Sequence, residues 1–505
     1  MLKGQACNLV LHMSVADFKL GMPGKAHVDA LLQERGSASL QETSYPSNSL
    51  NFLSRSNPTN HAQPNPQEPK LQNLNLPQVT AKVKLNILIA GAGLGGLSTA
   101  IALRRHGHTV TILERAASLE EVGAGIQIPP NSSRLLLKYG LGSYISSKVT
   151  EPEAIRMRRW QDGAVLSTTQ LRPGFREKYG APYYVVHRAN LQLALRDLAV
   201  DLGVALRLGA GVREYGKGEG KVVLESGEEC EADFVIAADG VKSEARRVVL
   251  GGVDQAPQKA GFAAYRAVVD VELMKRDPEL EWLLESPGQN LWVGDNRHVM
   301  TYTIAGGKTL NMVLSHPDDS DPSVWRQDTV IEDMKKQFEN WDPRLVKLIS
   351  LIRTTLKWPL LSGKPLEKWV SPGSKLVIIG DAAHAMVPYM SEGAAMAVED
   401  GAALAEVLSF MTLPSQLPDA LKTFERVRVL RTGQMQEASL VNGKLWHFAD
   451  GPEQRARDAA MKTEGDGESP NQWSDVLTAS WTYGYDAEKE VRKAWIESIG
   501  TVARL

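Results

Sequence analysis

The sequence predicts an α/β fold built in two interleaved parts: a parallel sheet with glycine-gated helices and an antiparallel sheet inserted into it, followed by C-terminal helices. Three regions carry that reading. Leu85–Arg115 runs strand, glycine turn, helix, strand, acid. Gly261–Val271 and Leu291–His316 are β-rich, the latter with a hairpin signal. Lys375–Ala397 repeats the strand–glycine–helix order far later in the chain.

The first stretch has the order that dinucleotide binding requires. Leu85–Ala90 is a short apolar run, and Gly91, Gly93 and Gly96 hold the first, third and sixth positions of the turn after it. Gly91 permits the tight turn, Gly93 lets backbone approach a pyrophosphate, and Gly96 lets helix and strand pack closely. The following helix offers free N–H groups and the positive end of its dipole. Thr109–Leu113 is the second strand and ends on Glu114. An acid roughly 20 residues past the glycines can accept hydrogen bonds from a ribose. The motif leaves FAD and NAD(P) both open.

Bulk properties narrow the classes. The chain has 505 residues, a formal net charge of −2 and 6% aromatics. It is too long for one simple domain and does not read as a nucleic-acid binder. Two cysteines, Cys7 and Cys230, make no disulfide framework, which fits a reducing, cytoplasmic compartment. No apolar run is long enough to span a membrane. Gln41–Thr80 is rich in Asn, Gln, Pro and Ser, so residues 1–80 are expected to be a disordered extension, or to precede a later translation start.

Past Glu114, Gly123-Ala124-Gly125 either lets backbone run against a flat ligand or simply turns. Pro129-Pro130-Asn131 starts a helix with Leu135, Leu136 and Leu137 at its core. Arg156–Ser167 alternates around Asp162-Gly163 and reads as a hairpin. Asn190 is placed to cap a helix over Leu191–Asp201. Arg188, just before it, is either a surface ion-pair residue or a cofactor contact. The strand Ala232–Ala238 ends at Asp239-Gly240, beside a ligand or in a turn.

Arg266 is the only charge from Gly261 through Val269. A cation inside an apolar strand is costly unless it is paired or faces a cavity. Val299–Ile304 and Thr309–Leu314 flank Gly306-Gly307 as an antiparallel pair, with Met300, Tyr302 and Ile304 on one face. Tyr302 is a core tyrosine or a donor in a pocket. Such a sheet, set between α/β halves, suggests a domain that covers a substrate.

The strand Lys375–Ile379 leads into Gly380-Asp381, Pro388 and Gly393, then a small-residue helix from Ala394. Glu399 and Asp400 are expected to face solvent or to pair with basic residues. Met411–Pro418 reads as a loop, and Asp419–Glu437 as a helix whose Arg426, Arg428 and Arg431 form a solvated face. Trp473, Trp481, Tyr483 and Tyr485 form a tail expected to pack on the body. His106, His108 and His384 show no metal-ligand spacing, so no metal site is expected. There is no G-x-S-x-G elbow either.

Taken together, Gly91–Gly96 with Glu114, Asp239-Gly240, and Gly380-Asp381 with Pro388 and Gly393 resemble the class A FAD-dependent aromatic monooxygenases. The likeness runs from Leu85 to Trp495 and leans toward the salicylate-hydroxylase-like enzymes of fungal secondary metabolism. It implies a GR2-type, Rossmann-like FAD-binding domain with an interleaved substrate domain. On that division residues 1–80 are the extension, 81–255 the first part of the FAD domain with a substrate-domain hairpin near 155–185, and 256–365 the substrate sheet. Residues 366–412 are the second part of the FAD domain and 413–505 the helical region.

The resemblance also implies roles. Glu114 holds the adenosine ribose, Gly123, Ala124 and Arg188 contact FAD, and Asp381 binds the ribityl–pyrophosphate region. Gly393 and Ala394 present N–H groups to the flavin, and Asp239 serves FAD and NAD(P)H. Arg266 and Tyr302 are the catalytic pair for a phenolic substrate, with His298 competing for the place of Tyr302. The expected partners are FAD, NAD(P)H, O2 and an aromatic small molecule, without nucleic acid, and with room for a homodimer. The expected reaction is hydroxylation through a C4a-hydroperoxyflavin. Oxidative dearomatisation, decarboxylative hydroxylation and epoxidation use the same flavin chemistry, and a non-redox flavin-fold binding protein is the reading from another class.

Overall fold

The computed structural model describes residues 80–119, 124–216, 220–285, 287–462 and 469–502. The expected extension, apart from Thr80, and Gly123 lie outside them. Five strands form a parallel sheet in the order Leu376–Ile378, Phe234–Ala237, Asn86–Ala90, Thr109–Leu113, Ala205–Arg207. The central strands are apolar on both faces because helices cover both. Ile87 stands between Phe234 and Val110, and Ile236 between Ile89 and Val377. The helix Leu94–Arg105 returns from the first strand to the second and is buried along nearly its whole length.

The helix Gly393–Ser409 crosses Leu94–Arg105 at close range. A methyl group on Gly95 would lie 3.1 Å from the Ala397 side chain, and one on Gly401 2.5 Å from the Thr99 hydroxyl. Small residues at the crossing are therefore a steric requirement. Every residue from Ala395 to Ser409 is buried.

The second sheet has seven strands, ordered Leu356–Ser362, Gln258–Asp270, Thr309–Pro317, Arg297–Ile304, Gln289–Gly294, Ala154–Arg159, Val165–Gln170. All its pairs are antiparallel except Gln289–Gly294 with Ala154–Arg159. Side chains alternate between its faces. Tyr265, Ala267, Val269, Val299, Met312 and Leu314 form an apolar core with Met334, Leu345 and Leu348 of the outer helices. Ala264, Leu291, Met300 and Tyr302 face inward, toward Tyr183, Tyr389 and Trp446. A small sheet of Gly125–Ile128, Tyr184–His187 and Val149–Thr150 sits at that inner side.

Two helix boundaries differ from expectation. The strand Tyr184–His187 runs straight into the helix Arg188–Asp201, whose N-cap is His187. Asn190 is thus in the first turn and not a cap. The long helix spans Leu417–Trp446, preceded by a single tight turn at Pro414–Gln416. Pro418 starts no break, since a first-turn residue has no helical N–H bond to lose. Gly443 lies within the helix because the Tyr389 ring packs on it, 2.3 Å from where a methyl group would sit. Trp473 and Tyr483 are buried, and Trp481 and Tyr485 partly so, as the tail was expected to pack. No helix among the described residues is long and apolar enough to cross a membrane.

Candidate active site

The glycine turn is rigid at two of its glycines and open at the third. Gly91 has φ +103°, and a methyl group there would lie 2.4 Å from the Ala238 carbonyl oxygen. A methyl group on Gly96 would lie 2.0 Å from the Gly91 oxygen. At Gly93 nothing stands within 4 Å of the same position. The helix that follows has no side-chain cap, so its first N–H groups face that opening. Glu114 holds the turn from the second strand: its carboxylate accepts from the Ala92 N–H at 2.7 Å and the Ala116 N–H at 2.9 Å. Gln192 donates to the Ala92 carbonyl at 3.0 Å, a support that sequence reasoning missed.

Three helix N-termini meet at Ala397. Gly95 abuts its side chain, and a methyl group on Gly380 would lie 3.4 Å from it. Gly380 has φ +61° and precedes the short helix Asp381–His384. Asp381 is exposed at the end of the outermost parallel strand. Gly393 and Ala394 begin the long buried helix, whose N-terminus also has no side-chain cap. Uncapped helix starts, an open position at Gly93 and an exposed acid together fit a diphosphate-bearing ligand.

Asp239 is half-buried beside this cluster. Its Oδ2 accepts from the Tyr215 hydroxyl at 2.9 Å, while Oδ1 is buried without a protein partner. The Ala124 carbonyl accepts from the Arg188 N–H at 3.1 Å and ties the two segments together.

Arg266 and Tyr302 stand on the inner face of the seven-stranded sheet. Arg266 is opposite Val313, which is opposite Met300; in the next row Val268, Asn311 and Tyr302 align. The two side chains therefore share a face in adjacent rows. Arg266 Nε is buried without a partner. Burial lowers the guanidinium pKa, the nearby Tyr302 offsets this, and Arg188 adds to it; among the described residues no acid counters the charge. Burial also holds the Tyr302 phenol above its ordinary range. The Tyr302 ring lies against Gly125, where a methyl group would come within 2.5 Å of it. Asn311 Oδ1 accepts from the Gly125 N–H at 2.6 Å. The sequence marks Gly125 only within Gly123-Ala124-Gly125, as a turn or as backbone beside a flat ligand, and Asn311 only as a polar residue in a strand.

His298 lies on the same face on the other side of the Arg266 row, in line with Ser315 and Ala264. Its Nδ1 is 2.8 Å from His447 Nε2. Burial depresses both imidazoles, His447 to about 4, so the pair is neutral at ordinary pH. Tyr302, in the row on the other side, feels the Arg266 charge, which partly offsets the effect of burial on its phenol.

The expected solvated arginine face is the largest correction. Arg428 and Arg431 are buried, and Glu399 and Asp400 are wholly enclosed. Arg428 binds Glu399 at 2.7 Å and Asp400 at 2.8 Å, and Arg431 reaches Glu399 at 3.3 Å. Glu399 and Asp400 therefore pair with basic residues and do not face solvent. His384 joins this network, its Nε2 2.7 Å from Asp400 Oδ2. The signal was present in the apolar, small-residue helix around the two acids, which admits no wet face. Among the described residues no cluster of three or more His, Cys, Asp or Glu could hold a metal.

Known proteins agree with this geometry. Residues 84–439 match the family model of the FAD binding domain. The chain is 38% identical over 411 residues to the FAD-dependent monooxygenase OpS4 of Beauveria bassiana (strain ARSEF 2860), covering 80% of this chain and 95% of that protein. It is 32% identical over 408 residues to a 3-hydroxybenzoate 6-hydroxylase of Polaromonas naphthalenivorans (strain CJ2), covering 80% and 96%. Among solved structures, a salicylate hydroxylase substrate complex superposes with a TM-score of 0.67 at 25% identity, covering 82% of this chain and 98% of the other. FqzB gives 0.70 at 26% identity, covering 85% and 96%. FAD is the cofactor, and the non-redox binding reading falls away. A glycine turn with its strand-end acid, a second glycine-gated helix far along the chain and an inward-facing antiparallel sheet are the marks of one family, and this chain belongs to the class A FAD-dependent aromatic monooxygenases.

Proposed function

We propose that the enzyme uses NAD(P)H and O2 to hydroxylate a phenolic small molecule, held between the inner face of the seven-stranded sheet and the start of the helix Gly393–Ser409. The observation that carries this reading is Arg266: a half-buried cation whose buried Nε has no partner and on which no acid acts among the described residues, one row from Tyr302. A guanidinium in a dry site favours the phenolate over the phenol, and the phenolate ring is the more electron-rich acceptor of oxygen. Tyr302 orients the ring oxygen.

FAD, when bound, supplies the activation of O2 and the transfer of one oxygen atom. The chain supplies the rest. Gly91, Gly93 and Gly96 with the uncapped helix N-terminus take the diphosphate, and Glu114 takes the adenosine ribose. Gly123, Ala124 and Arg188 contact the cofactor. Asp239 serves FAD and NAD(P)H, Asp381 takes the ribityl region, and Gly393 and Ala394 present N–H groups to the flavin. The division of labour follows residues 81–255 and 366–412 for FAD and 256–365 for substrate. Aromatic packing of Tyr389, Trp446 and Trp473 around the inner face excludes water. A cytoplasmic setting and a role in secondary metabolism complete the proposal; the FAD-dependent monooxygenase OpS4 is fungal.

The test is NAD(P)H oxidation by the purified yellow protein across a panel of phenols, with product masses. Substrate-stimulated oxidation with a gain of one oxygen is the expected result. Oxygen gain with loss of CO2 would assign the decarboxylative outcome instead. Stimulation by no phenol would overturn the substrate class.

A further inference from the structure

The helix Gly393–Ser409 begins with Glu392 as its N-cap residue. Glu392 is 1% exposed and its side chain does not cap the helix. Its Oε2 accepts from Asn131 Nδ2 at 2.9 Å, and the same Asn131 nitrogen donates to Glu399 Oε1 at 2.7 Å. Glu399 is neutralised by Arg428 and Arg431. Glu392 has no ion-pair partner among the described residues, and its Oε1 is buried with no hydrogen-bond partner. Two carboxyls thus share one amide, and only one of them has a countercharge.

We propose that Glu392 is a redox-linked carboxyl: kept neutral, it leaves the positive end of the helix Gly393–Ser409 intact for the reduced flavin, and its ionisation opposes flavin reduction. This rests on the placement of Gly393 and Ala394 against the flavin under the proposed function. The physical reason is proximity. A helix N-terminus carries about half a positive charge, and a carboxylate at the N-cap cancels it at short range. Two electrons and one proton convert neutral oxidised FAD into a reduced form with one negative charge on its ring system. Next to an ionised Glu392, that product is raised in energy, and the enzyme responds by taking a second proton onto the carboxyl.

The surroundings support a neutral state. Groups of four neighbouring segments act on Glu392 or feel its charge. On its own helix Glu399 repels a second negative charge. Asn131, from the helix Pro130–Lys138, is uncharged and donates one hydrogen bond. Arg431, from the long helix Leu417–Trp446, acts from behind Glu399 and favours ionisation. The phenols of Tyr183 and Tyr483 pack nearby, and both are held above their ordinary range partly by the Glu392 charge. Burial and Glu399 outweigh Asn131 and Arg431, which pushes the Glu392 carboxyl up to about 8.

The experiment is the flavin midpoint potential of the holoenzyme from pH 6 to 10, read by absorbance during dithionite reduction against a reference dye. Below the Glu392 transition the couple takes up one proton per two electrons. Above pH 8 the wild type is expected to take up two, an added tenfold per pH unit in the reduction equilibrium, about 30 mV for a two-electron couple. Glu392→Gln is expected to keep the shallow slope throughout, and Glu392→Asp to restore the steeper limb. A wild-type slope that does not change through that range would overturn the proposal. So would a Gln variant that steepens like the wild type. Protein that holds no FAD would instead overturn the reading of the cofactor site on which this rests. A Gln variant that fails to fold leaves the wild-type and Asp profiles to decide.

Discussion

Arg266 and Glu392 each hold a buried polar atom without a partner, and each implies a trade between stability and function. Arg266 is half-buried, with a buried, unpartnered Nε and no acid acting on it among the described residues. Removing a partly buried charge that lacks a counter-acid relieves its partial desolvation. Arg266→Met is therefore expected to melt at or above the wild-type temperature and to keep its FAD, while product formation falls and NAD(P)H consumption goes to hydrogen peroxide. Normal product yield in that variant would remove Arg266 from the site. For Glu392 the sign follows from its raised carboxyl. The folded state holds a proton that the unfolded chain releases at about 4.5, and the folded group releases it at about 8. The stability this supplies is full below 4.5 and is lost as pH rises toward 8. Glu392→Gln is expected to flatten that decline in melting temperature between pH 5 and 8; an unchanged decline would place the proton elsewhere. The lone charge of Arg266 was legible in the sequence because a cation in an apolar strand stands out. Glu392 was not, because one acid beside a glycine gives no hint that its countercharge is missing.

Among the elements, the glycine turn was the most legible, since backbone geometry dictates glycine there. Its three glycines are not equivalent, and substitutions separate them. Gly96→Ala drives a methyl group into the Gly91 carbonyl, and Gly91→Ala adds a strained φ. Both are expected to reduce folded yield. Gly93→Ala meets only open space. It is expected to fold with an unchanged apoprotein melting temperature but to bind FAD substoichiometrically, measured by the ratio of absorbance at 450 nm to 280 nm. Full occupancy would show that no ligand backbone approaches Gly93. The helix Leu417–Trp446 was the least legible element. Arg428 and Arg431 read as a wet face because a basic helix usually is one. Their acids lie in a different helix, and only the tertiary pairing reveals them. Replacing Arg428 with Met strands Glu399 and Asp400, a loss of about 3–5 kcal/mol for a broken buried pair. Methionine at that position with wild-type stability would show that His384 and Arg431 suffice to neutralise the two acids.

At the scale of the whole molecule, the parallel strand Phe234–Ala237 sits between two strands that are distant in sequence, Asn86–Ala90 and Leu376–Ile378. Short apolar runs announce such strands but not their neighbours, so the sheet order was hidden while the fold class was not. The meeting of the two halves was hidden for the same reason. It happens at Gly125, whose N–H binds Asn311 and whose α-carbon lies against the Tyr302 ring. Under the proposed division, with the flavin held by one half and the substrate by the other, this contact helps set their separation, and a misplacement of about 1 Å costs on the order of 100-fold in rate. A methyl group at Gly125 would stand 2.5 Å from Tyr302 and 2.9 Å from Asn311, so Gly125→Ala must move the sheet or the Tyr302 ring. FAD content and substrate-stimulated NAD(P)H oxidation are expected to survive, because the glycine turn and the parallel sheet are untouched. Coupling is expected to fail, with most reducing equivalents recovered as hydrogen peroxide rather than hydroxylated product. Asn311→Ala, which removes the hydrogen bond without adding bulk, is expected to lose coupling less. Equal coupling in Gly125→Ala and wild type would mean that the separation between the halves is set elsewhere.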